Sequence, residues 1–277
     1  MKTLELFVKC KSAKEFWKHI PRDIEGNLKF RVELHAFLCD HKEMIPGFTT
    51  WCREYKLIVF DTCLWTYNPR LKPGLQNRPF ILRPRQIPAV ERLCHAIDYE
   101  HDLIIDKSRD EGASEMICKL FTIYWLLEPQ SYFLIGSRKE ELVDKSVTID
   151  NGRVIGPHQT LMHKIMYAIA HLPVWWKANF LKTHCFLQNL DNDAAIQAEA
   201  TNDSFGAGNR ATAVLIDEHA RMEPPIAQFI ADNTRDTTNC AIFNSTHFKW
   251  GAGHPYAKLL RNDKIEKFEL GWEHNPE

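Results

Sequence analysis

The chain reads as an α/β protein: a largely parallel sheet covered on both faces by helices, with a helical extension at its N-terminus. Three observations predict this. Continuous apolar runs recur at Leu103-Ile104-Ile105, Tyr132-Phe133-Leu134-Ile135, Ala213-Val214-Leu215-Ile216 and Cys240-Ala241-Ile242-Phe243, and such runs suit strands buried on both faces. Stretches with apolar residues at helical spacing separate them. Up to about residue 60, the pattern is mostly helical.

Bulk properties set loose bounds. With 277 residues, 44% of them hydrophobic, the chain can bury a substantial core as one large domain or one domain plus an appendage. A formal net charge of −1 gives no global field toward nucleic acid, although a local basic surface fits inside a neutral total. Cys10, Cys39, Cys52, Cys63, Cys94, Cys118, Cys185 and Cys240 form no C-x-x-C pair and keep no regular spacing. That argues against a zinc site and for free thiols in a reducing compartment. No signal-peptide core is visible at the N-terminus, and no run approaches the roughly 18 apolar residues of a membrane span. A soluble, cytoplasmic protein is expected.

In order, Phe7, Phe16, Trp17 and Ile20 supply apolar helical faces, Pro21 interrupts, and Leu28 to Cys39 forms a second helix. Ile45-Pro46-Gly47 reads as a turn. Trp51 to Trp65 is aromatic-rich and compatible with strand or helix. Asn68 to Gly74 is a loop by its proline and glycine content. Pro79 to Gln86 leads into a helix over Ile87–Ala96 and then into the strand ending at Ile105. A helix over Ala113–Leu127 stops at Pro129. After the strand through Gly136 come a short helix near Glu140–Lys145, an insertion with Gly152, Gly156 and Pro157, and a helix over His158–His171. His184–Gln188 and Ala194–Ala200 read as strands joined by a hairpin-like turn. A glycine loop, Ser204 to Arg210, precedes Ala213–Glu218. Cys240–Phe243 is the last strong strand, followed by Asn244-Ser245-Thr246.

Two stretches carry chemistry. The first is Lys107-Ser108-Arg109-Asp110-Glu111-Gly112-Ala113-Ser114, lying between a buried strand and a helix. Strand, polar turn, glycine, hydroxyl and helix form the layout of a phosphate-binding loop. There, backbone N–H groups and a helix N-terminus face the phosphates, and a hydroxyl reaches Mg²⁺. The usual pattern ends Gly-Lys-Ser/Thr, and here Ala113 replaces the lysine. About twenty residues upstream, the Gln86 amide can read the N6/N7 edge of adenine, or it can merely sit at a helix start.

The second stretch is Asp217-Glu218. Four apolar residues ending in two acids place both carboxylates at the C-terminal edge of a buried strand, where open α/β sheets bind ligands. One acid can hold Mg²⁺, and the other can orient and deprotonate an attacking water. Taken alone, such a pair is commonly a solvated turn. Its order and spacing relative to the phosphate loop lift it above that reading.

Together these residues resemble the ATPase domain of the large terminase subunit of tailed bacteriophages, the motor that pumps DNA into empty capsids. The resemblance covers the chain from about Trp51 to its end. It rests on Trp65-Thr66-Tyr67-Asn68-Pro69-Arg70, Pro79-Phe80-Ile81 with Gln86, and Lys107 to Ser114. Further on it rests on Glu199-Ala200-Thr201, Arg210 ahead of Val214-Leu215-Ile216-Asp217-Glu218, Ile242 to Thr246, and the closing Trp272-Glu273-His274-Asn275-Pro276-Glu277. It implies a P-loop NTPase of the ASCE type, with a helical extension or lid over 1–75 and an ATPase core over 76–277. The C-terminal nuclease domain of the family is expected to be absent. Some members carry a deviant Walker A motif with the lysine at the start of the loop, the place Lys107 occupies. A flexible stem can carry an ammonium to the β- and γ-phosphates from either side of the loop. Arg109, able to bind phosphate bidentately, is the competing cation.

The implied roles follow. Gln86 contacts adenine; Lys107, Ser108, Arg109, Asp110, Glu111, Gly112, Ala113 and Ser114 cradle the ATP phosphates; Ser114 and Asp217 hold Mg²⁺. Asp217 is the Walker B acid and Glu218 the catalytic base. Asn244, Ser245 and Thr246 match the coupling motif that senses the γ-phosphate. Arg210 stands where the family offers an arginine finger to a neighbouring subunit, though by itself it equally reads as a surface charge. The implied function is ATP hydrolysis driving translocation of double-stranded viral DNA into a procapsid. The implied partners are that DNA, the portal protein, the small terminase subunit and further copies in a ring, and the implied place is the host cytoplasm at the portal, with no membrane. Two other readings stand beside it: a helicase-like DNA translocase, and a non-catalytic nucleotide-binding scaffold motivated by the missing Gly-Lys-Ser.

Overall fold

The computed structural model describes residues 3–248 and 251–271. The chain opens with five helices: α1 (Thr3–Lys9), α2 (Ala13–Lys18), α3 (Ile24–Asp40), α4 (Ile45–Glu54) and α5 (Leu57–Thr62). Polar caps start two of them. Ser12 Oγ accepts from the Glu15 N–H at 3.2 Å, and Asp23 Oδ1 from the Gly26 N–H at 2.7 Å. The turn expected at Ile45-Pro46-Gly47 is instead the first turn of α4. Proline is tolerated there because a first-turn N–H has no intrahelical acceptor to lose. The ambiguous aromatic stretch resolves into the end of α4, α5 and the start of a strand.

The buried Asp61 carboxylate fastens this helical layer. It accepts from Trp17 Nε1 (2.6 Å), Arg22 Nη1 (2.7 Å) and the Leu82 N–H (2.9 Å). Burial nevertheless holds its pKa above the usual carboxylate range, against the pull of Arg22 and these hydrogen bonds. One continuous apolar core runs from Phe16 and Leu34 through Phe60 and Leu93 to the central sheet.

A short hairpin, β1 (Trp65–Tyr67) with β2 (Asn77–Pro79), leads to α6 (Gln86–Asp98), β3 (Leu103–Lys107), α7 (Ala113–Leu127) and β4 (Tyr132–Ser137). Then come α8 (Glu140–Val143), the hairpin β5 (Thr148–Asp150) and β6 (Arg153–Ile155), α9 (Leu161–Ala170), β7 (Phe180–Thr183), β8 (Phe186–Asn189) and β9 (Ala195–Ala200). The chain continues through β10 (Ala213–Asp217), α10 (Pro224–Thr237), β11 (Ala241–Ser245), α11 (Pro255–Leu260) and β12 (Glu266–Leu270).

The central sheet has the order β12-β3-β11-β10-β4-β9-β8-β7. From β12 to β9 all neighbours are parallel, and β8 and β7 add an antiparallel edge. Helix α7 is buried almost all round and packs Phe121 against Phe133 of β4, with tilted rings whose centroids lie 4.4 Å apart. Sequence reasoning missed β7, β12, α10 and α11, and the glycine-containing insertion is the β5–β6 hairpin. Edge strands such as β12 (Glu-Lys-Phe-Glu-Leu) lack the continuous apolar run that marks a central strand. Among the described residues, no helix is long and apolar enough to cross a membrane. The closing Trp272 to Glu277 lies outside the described residues.

Candidate active site

The sheet places the chemistry by inserting β11 between the strand that carries the loop and the strand that carries the acids. Register sets Asn244 beside both Ile105 of β3 and Asp217 of β10. From this central position Asn244 Nδ2 donates to Asp217 Oδ1 (2.5 Å) and to Ser114 Oγ (3.1 Å), while Ser114 Oγ donates to Asp217 Oδ1 at 2.8 Å. Residues expected to hold a metal and to sense phosphate thus meet in one network.

The loop between β3 and α7 turns at Asp110 (φ 64°) and Gly112 (φ 71°), the residue capping α7. A Cβ at position 112 would stand 3.2 Å from Gln86 Nε2 in a backbone conformation that L side chains rarely adopt. The loop is braced from behind. Gln86 Nε2 and Arg83 Nη2 both donate to the Glu111 carbonyl, at 2.9 and 2.6 Å, and Ser108 N–H donates to the Leu270 carbonyl at 2.9 Å. Asp110 pairs with Arg70 at 3.0 Å, and Thr66 Oγ1 donates to Glu115 Oε1 at 3.2 Å, so the β1–β2 hairpin leans on the loop.

Gln86 departs from its expected employment. It is 4% exposed, and its Oε1 accepts from the Arg83 N–H at 3.0 Å. Its amide therefore supports the loop, where base reading would need it directed outward.

Lys107 ends β3, and its Nζ lies 3.2 Å from Glu218 Oε1 and 3.3 Å from Thr246 Oγ1. A lysine at the start of the loop thus sits in the cleft despite its unusual sequence position. Glu218 is left-handed (φ 58°, ψ 36°), a costly conformation for a non-glycine residue, fixed by hydrogen bonds from its N–H to the Asn244 carbonyl (2.7 Å) and from Arg221 N–H to its own carbonyl (2.9 Å). The turn points its carboxylate into the cleft between Lys107 and Arg221, whose Nε is 2.8 Å from Oε2.

The cleft, of about 370 Å³, is lined by Lys107, Arg109, the loop through Glu115, Glu218, Arg221 and Lys164. Sequence reasoning missed Arg221 and Lys164. Arg221 could have been suspected from its place three residues after the acid pair; Lys164, on the polar side of α9, carries no such signal.

Burial holds the Asp217 carboxyl above its usual range, and Glu218 adds to this, against Lys107 and the hydrogen bonds from Ser114 and Asn244. Among the described residues, Asn244 Oδ1 is buried and finds no hydrogen-bond partner, a deficit of about 1–3 kcal/mol for such a group. These oxygen donors suit a hard divalent cation such as Mg²⁺ with its water shell.

Two expected residues lie apart from this cluster. Ser245 faces away, its Oγ accepting from the Ala220 N–H at 2.9 Å. Arg210 lines a second cleft of about 290 Å³, formed by the glycine loop and α10, and is exposed. The conspicuous Glu199 secures that loop by accepting from the Gly206 N–H (2.9 Å) and Asn209 Nδ2 (3.0 Å).

No protein-family model matches the chain, and no curated protein matches it either. Solved structures do. The large terminase of bacteriophage HK97 aligns over 70% of this chain and 40% of its own, with a TM-score of 0.52 and 13% identity. The large terminase ATPase domain of Thermus phage P74-26 aligns over 62% of this chain and 77% of its own, with a TM-score of 0.44 and 12% identity. The large terminase of a thermophilic bacteriophage, in complex with ADP, aligns over 63% and 40%, with a TM-score of 0.45 and 9% identity. The chain thus spans 40% of the length of the HK97 protein. Its fold, a mostly parallel sheet flanked by helices, is similar to that of the HK97 large terminase.

Proposed function

We propose that the chain is the ATPase motor domain of a DNA-packaging machine, hydrolysing ATP to move double-stranded viral DNA into a procapsid. The observation that carries this reading is the meeting of Lys107, Glu218 and Thr246 at the mouth of the phosphate loop. A phosphate loop without Gly-Lys-Ser supports catalysis only if another cation reaches the cleft, and Lys107 does.

In this reading Lys107 leaves Glu218 for the β- and γ-phosphate oxygens when ATP enters, with Arg109 as a further cation on the loop. Glu218, released from the lysine, orients the attacking water and takes its proton. Ser114 and Asp217, with Asn244 beside them, would hold Mg²⁺, and the ion would supply charge neutralisation for the phosphates. Thr246 and Asn244 register the departure of the γ-phosphate, and Ser245 links them through Ala220 to the turn after β10. Arg210, outside its own subunit's cleft, acts on the neighbouring subunit's nucleotide in a ring. A cation supplied this way is worth ~10³–10⁵ in rate in related hydrolases. DNA is gripped through its backbone, hence without sequence preference and more weakly at high salt. The remaining partners in this reading are the portal protein and the small terminase subunit, in the host cytoplasm.

Displacement of a triplex-forming oligonucleotide from blunt duplex DNA tests the proposal. ATP-dependent displacement without unwinding of a forked duplex is the expected result. Unwinding of the fork would favour the helicase-like alternative, and neither activity together with no ATP turnover would favour the nucleotide-binding scaffold.

A further inference from the structure

At the same C-terminal edge of the sheet, on the far side from the phosphate loop, a histidine, a cysteine and a glutamate converge. His184 and Cys185 form the two-residue turn between β7 and β8, and Glu140 opens α8 just beyond the end of β4. His184 Nε2 lies 2.9 Å from Glu140 Oε1 and 3.5 Å from Cys185 Sγ, and all three donor atoms lie within 4.8 Å of one another. We propose that Glu140, His184 and Cys185 form a zinc-binding site.

The donor chemistry and the spacing both support this. Zinc takes thiolate at about 2.3 Å, imidazole nitrogen at about 2.0–2.1 Å and carboxylate oxygen at about 2.0–2.2 Å in a tetrahedron. The edges of such a tetrahedron are roughly 3.3–3.7 Å, so the two separations from His184, 2.9 and 3.5 Å, lie close to it. A thiolate with an imidazole selects zinc over magnesium or calcium. The three side chains leave a fourth position for water or a group from outside the chain.

The turn is held for the purpose. The Cys185 N–H donates to Asp144 Oδ2 at 2.9 Å, and its carbonyl accepts from the Ala198 N–H at 2.8 Å. Lys182 balances the Asp144 charge at 2.8 Å. Cys185 adopts φ 55° in a place that favours glycine or asparagine, and this brings adjacent side chains to one side of the hairpin. Among the described residues, the other group of comparable composition, His95, His101 and Glu266, has no thiolate, and its carboxylate is paired with Arg92. No C-x-x-C spacing announces the Cys185 site, because its ligands come from a dipeptide and a distant helix.

Cobalt(II) titration of the reduced, metal-free chain provides the test, read by thiolate-to-cobalt charge-transfer absorption in the near ultraviolet. One equivalent should develop the band, and zinc should abolish it by displacement. Cys185→Ser should lose the band, His184→Ala should weaken binding at least tenfold, and Cys39→Ser, at an exposed thiol elsewhere, should leave it unchanged. Absence of a band in the parent chain, or its survival in Cys185→Ser, would overturn the proposal. Cys185→Gly guards against misfolding as an explanation: it should raise the melting temperature of the metal-free chain while removing the further rise that zinc produces in the parent.

Discussion

Lys107 and Glu218, 111 residues apart in the chain, meet with Nζ 3.2 Å from Oε1 at the mouth of the loop between β3 and α7. The contact joins the end of β3 to the turn after β10, beside a loop in which Ala113 stands where the usual pattern has a lysine. It also makes Lys107 a partner of the acid expected to activate water.

Replacing Lys107 with alanine should therefore lower ATP turnover at least about 100-fold, the scale of losing one preorganised charge stabiliser. Arg109→Ala should act mainly on KM. Steady-state phosphate release by both variants checks this, and the opposite ranking would reverse the assignment of the two cations.

Gln86 should behave as a brace. Its amide is spent on the Glu111 carbonyl and the Arg83 N–H, so Gln86→Ala should lower kcat/KM for ATP and GTP by similar factors. A loss confined to ATP would restore adenine reading to this residue. Gly112→Ala, which forces a side chain into φ 71° against Gln86, should be worse for both nucleotides.

Asp217 should link metal binding to stability. Its folded pKa is raised by burial, so its contribution to stability is full below the unfolded value of about 3.9 and is lost as pH rises through the folded pKa. Ionising this buried carboxyl costs stability, a cost that Mg²⁺ held there would relieve. Thermal melts should show Mg²⁺ stabilising the parent and failing to stabilise Asp217→Asn, which should itself melt no lower than the magnesium-free parent.

Acid should act through two histidines. Burial lowers His219 to about 4, and His163 is lowered to about 4 by burial with Lys164 beside it. Groups with depressed folded pKa stay neutral on folding, so stability is full above about 6.5 and falls as pH drops toward 4. For the fully buried His219, whose Nε2–H donates to the Ala227 carbonyl at 2.9 Å, the loss is on the order of 3 kcal/mol. Urea unfolding at pH 7 and pH 4.5 measures it, and His219→Gln should flatten the dependence.

The central strands and α7 were legible because continuous apolar runs and helical periodicity report burial directly. That Lys107, Ser114, Asp217 and Glu218 come together was legible because they sit at strand ends or helix starts, where sequence position determines spatial position. Arg221, Lys164 and the employment of Gln86 were not, since each depends on how a separate element approaches the loop. Strands β7 and β12 were hidden for a related reason: an edge strand is stabilised by its backbone ladder and one neighbour, and its side chains need no diagnostic pattern. The Ile45-Pro46-Gly47 error came from reading proline and glycine as a turn where a helix start tolerates both.

The central claim, that this lysine-shifted loop is catalytic, is tested most directly by steady-state phosphate release from the parent chain and Glu218→Gln with saturating Mg²⁺ and ATP. Turnover by the parent that falls at least about 100-fold in the variant, with nucleotide binding retained, is the predicted result. Equal, background-level rates in the two proteins would contradict it.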